Sequence, residues 1–150
     1  MLENAYRKAA AAAAGIHAGG GEERPVLGVD TVVALGGRIY GKPDNAAAAR
    51  ATLEQLSGRT HRVLSGVCVI EGDAVRRAAE VTTVTFRVLD ARWLDWYGQV
   101  GEWRGRAGGY AIQGKGAALV TRIDGDYLNV VGLPVKTLLD LLPGLLPHVG

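Results

Sequence analysis

Asp30 stands inside an apolar run, Val-Leu-Gly-Val-Asp-Thr-Val-Val over residues 26–33, and Lys42 follows it between a glycine and a proline. The run has apolar residues on both faces and is mostly β-branched, the pattern of a buried strand. A carboxylate in such a strand is costly to bury unless something pairs with it. Gly36-Gly37 is a hairpin signal that would fold the chain back and bring Lys42 towards Asp30. An acid and an ammonium meeting there are either a structural ion pair or the centre of a site, and these residues alone leave both open.

A second candidate region is glycine-rich. Residues 101–116 hold Arg104, Arg106 and Lys115 among glycines that permit close backbone approach to a ligand, and these cations suit phosphate. A solvated loop has the same composition. Glu102 in this loop is a candidate metal ligand or simply an exposed acid. His17, His61 and His148 lack ligand spacing, and no CxxC or HExxH occurs, so tightly held zinc is not expected and any metal would be a hard cation held by oxygens. Arg59 and His61, at a strand entry, read as structural. Cys68, the single cysteine, lies in an apolar strand and reads as a buried thiol.

The elements that must position these residues follow from periodicity. Residues 1–14 form an alanine-rich helix with Arg7 and Lys8 on its polar side, where Lys8 by pattern alone is a solvated residue. The helix has no capping residue ahead of it, and residues 15–25 read as a flexible loop. After the hairpin, a helix over residues 46–56 is started by Pro43-Asp44-Asn45 and stopped at Ser57-Gly58. Residues 59–71 are apolar on both faces, which places that strand centrally in a sheet, and a turn at residues 71–73 leads to an alternating antiparallel partner over residues 82–88. Asp90 caps a helix over residues 91–99 with Trp93, Leu94 and Tyr97 as its apolar stripe, residues 117–123 read as a strand, and Pro134 starts a helix over residues 135–142. The residues beyond 142 carry no signal. This mixture gives an α/β (mixed α+β) class with one twisted mixed β-sheet flanked by helices.

The chain has 150 residues, 48% of them hydrophobic and 21% charged, which fits a single globular domain over residues 1–150. No stretch reads as a transmembrane span or a secretory leader, so a cytoplasmic location is expected. A net charge of +2 is too small to argue for a nucleic-acid partner, and leaves room for a small anionic ligand.

Three groups of motifs carry a resemblance that composition does not. These are Asp30-Thr31-Val32-Val33 with Gly41-Lys42-Pro43, then residues 56–63 (Leu-Ser-Gly-Arg-Thr-His-Arg-Val) with Ser65-Gly66-Val67, then residues 107–114 (Ala-Gly-Gly-Tyr-Ala-Ile-Gln-Gly) with residues 127–134 (Tyr-Leu-Asn-Val-Val-Gly-Leu-Pro). In order and spacing they resemble the Maf family, from about residue 4 to about residue 142. The resemblance implies a fold similar to that of the inosine triphosphate pyrophosphatases. It also implies hydrolysis of a nucleoside triphosphate to the monophosphate and pyrophosphate with a divalent cation (Mg²⁺ or Mn²⁺), and a homodimer. Carried over by position, Asp30 resembles the family's catalytic acid, acting on the attacking water or through the metal. Lys42 and Lys8 resemble the lysines that neutralise phosphate charge. Thr31 and Gln113 resemble the branch acting on dTTP and UTP, and either side chain can bond a pyrimidine edge. Arg106 stands where many members have lysine, which keeps the charge and changes the donor geometry.

One departure accompanies the match. The family's opening strand and Ser-x-Ser-Pro-Arg-Arg loop have no counterpart here, and the expectation is that upstream in-frame sequence encodes them. The alternatives to a dTTP/UTP pyrophosphatase are a catalytically impaired nucleotide-binding or septum-formation regulatory protein, and a 7-methyl-GTP pyrophosphatase.

Overall fold

A computed structural model describes residues 1–20 and 24–146. Parts of the loop and tail read from the sequence, with His148, lie outside the described residues. Among the described residues five strands form one sheet in the order β2-β1-β3-β4-β5. They are β1 (Val26–Leu35), β2 (Arg38–Tyr40), β3 (Thr60–Glu71), β4 (Ala74–Phe86) and β5 (Val120–Asp124). The two-sided apolar strand β3 is the central one, as its pattern requires. All four pairings are antiparallel, so the α+β class holds and the sheet is not of mixed direction. The β1–β2 hairpin closes on Gly36 and Gly37 at φ 58° and 78°, the left-handed conformations that a two-residue turn of matching twist needs.

Among the described residues five α-helices complete the fold: α1 (Leu2–Ala18), α2 (Ala46–Leu56), α3 (Ala91–Val100), α4 (Tyr127–Val131) and α5 (Val135–Leu141). The Asn45 and Asp90 side chains cap α2 and α3 as the sequence indicates, accepting from the Ala48 and Trp93 amides. Helix α4 is not evident from periodicity because it is a single turn; its signal is Asp126, whose carboxylate accepts from the Leu128 amide at its start. The strand expected over residues 117–123 begins later, after a 3-10 turn over Lys115–Leu119. Among the described residues no helix is long and apolar enough to cross a membrane.

The sheet's two faces are covered differently. Val33, Leu53, Leu56, Val63, Phe86 and Tyr97 belong to the main core between the sheet and helices α2 and α3. On the opposite face lies α1, whose Ala5 and Ala9, one turn apart, are fully buried with Cys68. The approach is close because the sheet offers glycine there. A Cβ on Gly28 would collide with the Ala5 carbonyl oxygen and lie 2.7 Å from the Ala9 amide nitrogen, and one on Gly66 would lie 3.1 Å from Leu2 Cα. Cross-strand pairing sets Gly28 against Cys68 and Asp30 against Gly66, so α1 lies along the face from which Asp30 projects. From the outside, Arg77 holds the helix with its guanidinium 4.4 Å from the Tyr6 ring centroid.

Replacing Gly28 by alanine forces α1 off the sheet, because the obstruction is backbone. Urea unfolding of Gly28→Ala is expected to show a loss on the order of 3 kcal/mol. A midpoint equal to the parent's would show that the helix is not seated there.

Candidate active site

A cleft of about 290 Å³ opens where β1 runs past the end of β2. Strand β2 pairs only with residues 33–35 of β1, so among the described residues the edge of β1 around Val29, Asp30 and Thr31 faces this space rather than a neighbouring strand. Successive strand residues point to opposite faces, and only at an edge can neighbours such as Asp30 and Thr31 line one cavity.

The six residues that the resemblance singles out meet here, Lys8, Asp30, Thr31, Lys42, Arg106 and Gln113, whereas Arg104, Lys115 and Glu102 do not line the cleft. Their direct contacts differ from the expected pairing. Lys8 on α1 is the partner of Asp30, its Nζ lying 3.1 Å from Asp30 Oδ1 while also donating to the Val29 carbonyl at 2.9 Å. Asn4 donates to Asp30 Oδ2 at 3.4 Å. The Asp30 side chain is 16% exposed and that of Lys8 51%, so the pair sits at the cleft wall with the carboxylate largely covered and the lysine half exposed. Lys42 borders the same space and makes no ion pair among the described residues, which corrects the direct Asp30–Lys42 contact suggested by the hairpin. Thr31 Oγ1 shares a hydrogen bond of 2.8 Å with Ser65 Oγ on β3.

The opposite wall is the glycine-rich loop. Gly108 donates its amide to the Gly41 carbonyl at 3.0 Å, which ties the segment bearing Arg106 to the segment bearing Lys42. Gly108 has φ 73°, and a Cβ there would lie 2.7 Å from Val33 Cγ2, so two separate constraints select glycine. Glu102 is neither an exposed acid nor placed to ligate a metal in the cleft. It accepts from the Tyr97 hydroxyl at 3.0 Å and from the Lys115 and Gly116 amides at 2.9 and 3.0 Å. Burial works to raise its carboxyl, and those donors with the Lys115 charge outweigh it, holding the group below the ordinary glutamate range.

Sequence reasoning gave no site role to the apolar floor. Val63, Tyr110, Val130, Val131 and Leu133 line the cleft beside Gly132. Helix α4 is fixed there by the buried Asn129, whose Nδ2 donates to the Val63 carbonyl at 3.1 Å and to Thr82 Oγ1 at 3.0 Å. The signal was the segment over residues 127–134, which carried the resemblance without a stated task. Tyr110 is held from behind by His61 Nε2 at 2.8 Å from its hydroxyl, confirming His61 as structural. Burial lowers the His61 pKa to about 4.

Three cations and one carboxylate share the cleft with apolar side chains, an arrangement chemically suited to an anionic ligand. Residues 1–145 match the family described as Maf-like protein, and the chain belongs to that family. It is 50% identical over 117 residues to the dTTP/UTP pyrophosphatase of Pyrococcus furiosus, covering 78% of this chain and 62% of that protein. It is 47% identical to the dTTP/UTP pyrophosphatase of Deinococcus radiodurans over 79% of this chain and 61% of that one. With the dTTP/UTP pyrophosphatase of Moorella thermoacetica the identity is 46%, over 92% of this chain and 70% of that one. The match to the Pyrococcus protein therefore leaves more than a third of that protein's length without a counterpart.

His61 gives the fold a defined acid sensitivity. Its folded pKa of about 4 lies below the unfolded value of 6.5, so between those values the unfolded chain binds more protons and stability falls as pH falls. The full effect is on the order of 3 kcal/mol. Urea midpoints measured between pH 7 and pH 4.5 should decline in the parent and decline less in His61→Gln; identical slopes would remove His61 as the cause.

Proposed function

We propose that this chain hydrolyses dTTP and UTP to the nucleoside monophosphate and pyrophosphate. The observation that carries the reading is the Lys8–Asp30 pair at the wall of a cleft whose other cations, Lys42 and Arg106, come from two loops hydrogen-bonded to each other. The names of the relatives supply the nucleotide class.

In this reading the triphosphate lies against Lys8, Lys42 and Arg106, which offset the charge that builds on the phosphoryl oxygens. Asp30 accepts the proton of a water that attacks the α-phosphorus. The α–β phosphoanhydride bond breaks as the new P–O bond forms, and pyrophosphate leaves with the bonding electron pair. The base rests on the apolar floor, with Thr31 and Gln113 as the polar groups able to bond a pyrimidine edge.

A divalent cation, Mg²⁺ or Mn²⁺, belongs to the proposal. Among the described residues no group of three acidic, histidine or cysteine side chains could hold a metal, so the donor set fits a cation that arrives on the phosphates and takes one carboxylate from the protein. Asp30 Oδ2, which has only the 3.4 Å contact from Asn4, would supply that oxygen. When bound, such a cation neutralises phosphate charge and polarises the phosphoryl oxygens. A homodimer in the cytoplasm, with neither nucleic acid nor a membrane as partner, completes the reading.

Pyrophosphate release from UTP and dTTP with Mg²⁺ or Mn²⁺ is expected for the purified chain, and Asp30→Asn should lower it at least about 100-fold. Lys8→Met should lower it as well, through loss of the Asp30 partner and of a phosphate contact. Absence of release from the folded parent, with nucleotide still bound, would make this a binding protein. A preference for 7-methyl-GTP over UTP would refute the roles given to Thr31 and Gln113.

A further inference from the structure

Glu102 lies in the loop after α3, behind the cleft wall, and grips the loop that carries Gln113. Its Oε2 accepts from the Lys115 amide, and its Oε1 accepts from the Gly116 amide and the Tyr97 hydroxyl. The same Tyr97 oxygen accepts the Ala111 amide at 3.0 Å. Residues 111–116 are thereby held at both ends by one carboxylate–phenol unit. Between those ends the chain makes a tight turn, with the Gly114 amide donating to the Ala111 carbonyl at 3.1 Å.

Two glycines show how closely the unit grips. A Cβ on Gly114 would strike the Glu102 carboxylate, lying 2.8 Å from its Cδ, and one on Gly116 would lie 2.8 Å from the Tyr97 hydroxyl oxygen. Gln113 sits inside this turn, exposed and bordering the cleft, so its direction follows from the backbone on either side.

We propose that Glu102 is a positioning residue for base selectivity, acting with Tyr97 through the backbone of residues 111–116 to aim the Gln113 amide at the base of the nucleotide. This rests on the pyrimidine triphosphate reading above. Glu102 touches neither base nor phosphate. An amide on a loosened turn would still bond water or either edge of several bases, whereas a fixed one presents its donor and acceptor in one arrangement.

The test uses the whole chain and two analogues that cannot be cleaved at the α–β bond, α,β-methylene UTP and α,β-methylene ATP, with affinities measured by calorimetry. The parent should bind the UTP analogue more tightly. Glu102→Ala should reduce the UTP/ATP affinity ratio roughly threefold to tenfold, the worth of one neutral hydrogen bond. Glu102→Gln should fall between the two, because its single amide oxygen can still accept from the loop. In a Gln113→Ala background, Glu102→Ala should leave the ratio where Gln113→Ala alone puts it.

A role confined to stability would lower both affinities together and leave the ratio unchanged. That outcome overturns the proposal, as does an additive double variant or a parent that binds both analogues equally. Where Glu102→Ala does not fold, Glu102→Gln decides alone, an unchanged ratio again counting against the proposal. A parent that binds selectively yet releases no pyrophosphate would sink the hydrolase reading, and the affinity ratios would still decide the role of Glu102.

Discussion

The contact between α1 and the glycines of β1 and β3 governs the rest of this molecule. With side chains at Gly28 and Gly66 the helix axis would stand further from the sheet, and a lysine on it would end short of the β1 edge. Because the approach is close, Lys8 reaches both the Val29 carbonyl and the Asp30 carboxylate. Two fully buried alanines make the approach possible from the helix side, so the composition of α1 is matched to the glycines it meets.

The same contact explains how a carboxylate is tolerated in an apolar strand. Asp30 is largely covered, and a covered ionised acid without a partner would cost several kcal/mol. Lys8 supplies the counter-charge from a helix on the sheet's outer face, which leaves the cleft side of the carboxylate unblocked by the main core. The observed arrangement keeps Lys42 and Arg106 facing a common space with Asp30.

How much of this could be read from the sequence depends on the range of the interaction. Helices α2 and α3 were legible because Asn45 and Asp90 cap them through contacts three residues long, and β3 because a strand with two apolar faces has to be central. The β1–β2 and β3–β4 hairpins were legible from their tight turns, but the directions of the β1–β3 and β4–β5 pairings were not, because periodicity is the same for parallel and antiparallel neighbours; both are antiparallel. The pattern placed Lys8 on a solvated face, since a glycine 20 residues away has no periodic signature that announces a helix contact. Its place in the cleft came from the resemblance alone. Glu102 was misread for a related reason: two of its three partners are backbone amides, and any sequence supplies those.

A cleft that keeps three cations around one carboxylate works against folding, because like charges repel and Lys42 lacks an ion-pair partner among the described residues. The fold offsets this with rigid surroundings: a hydrogen bond between the Gly41 and Gly108 segments, a carboxylate holding residues 115 and 116, and Asn129 fixing α4 to the sheet. None of these three devices neutralises the cations. A polyanion would, and under the proposed function its binding would stabilise the folded chain by mass action. In the proposed reading, this uncompensated charge is what suits the cleft to a phosphate chain rather than a salt-bridged seam.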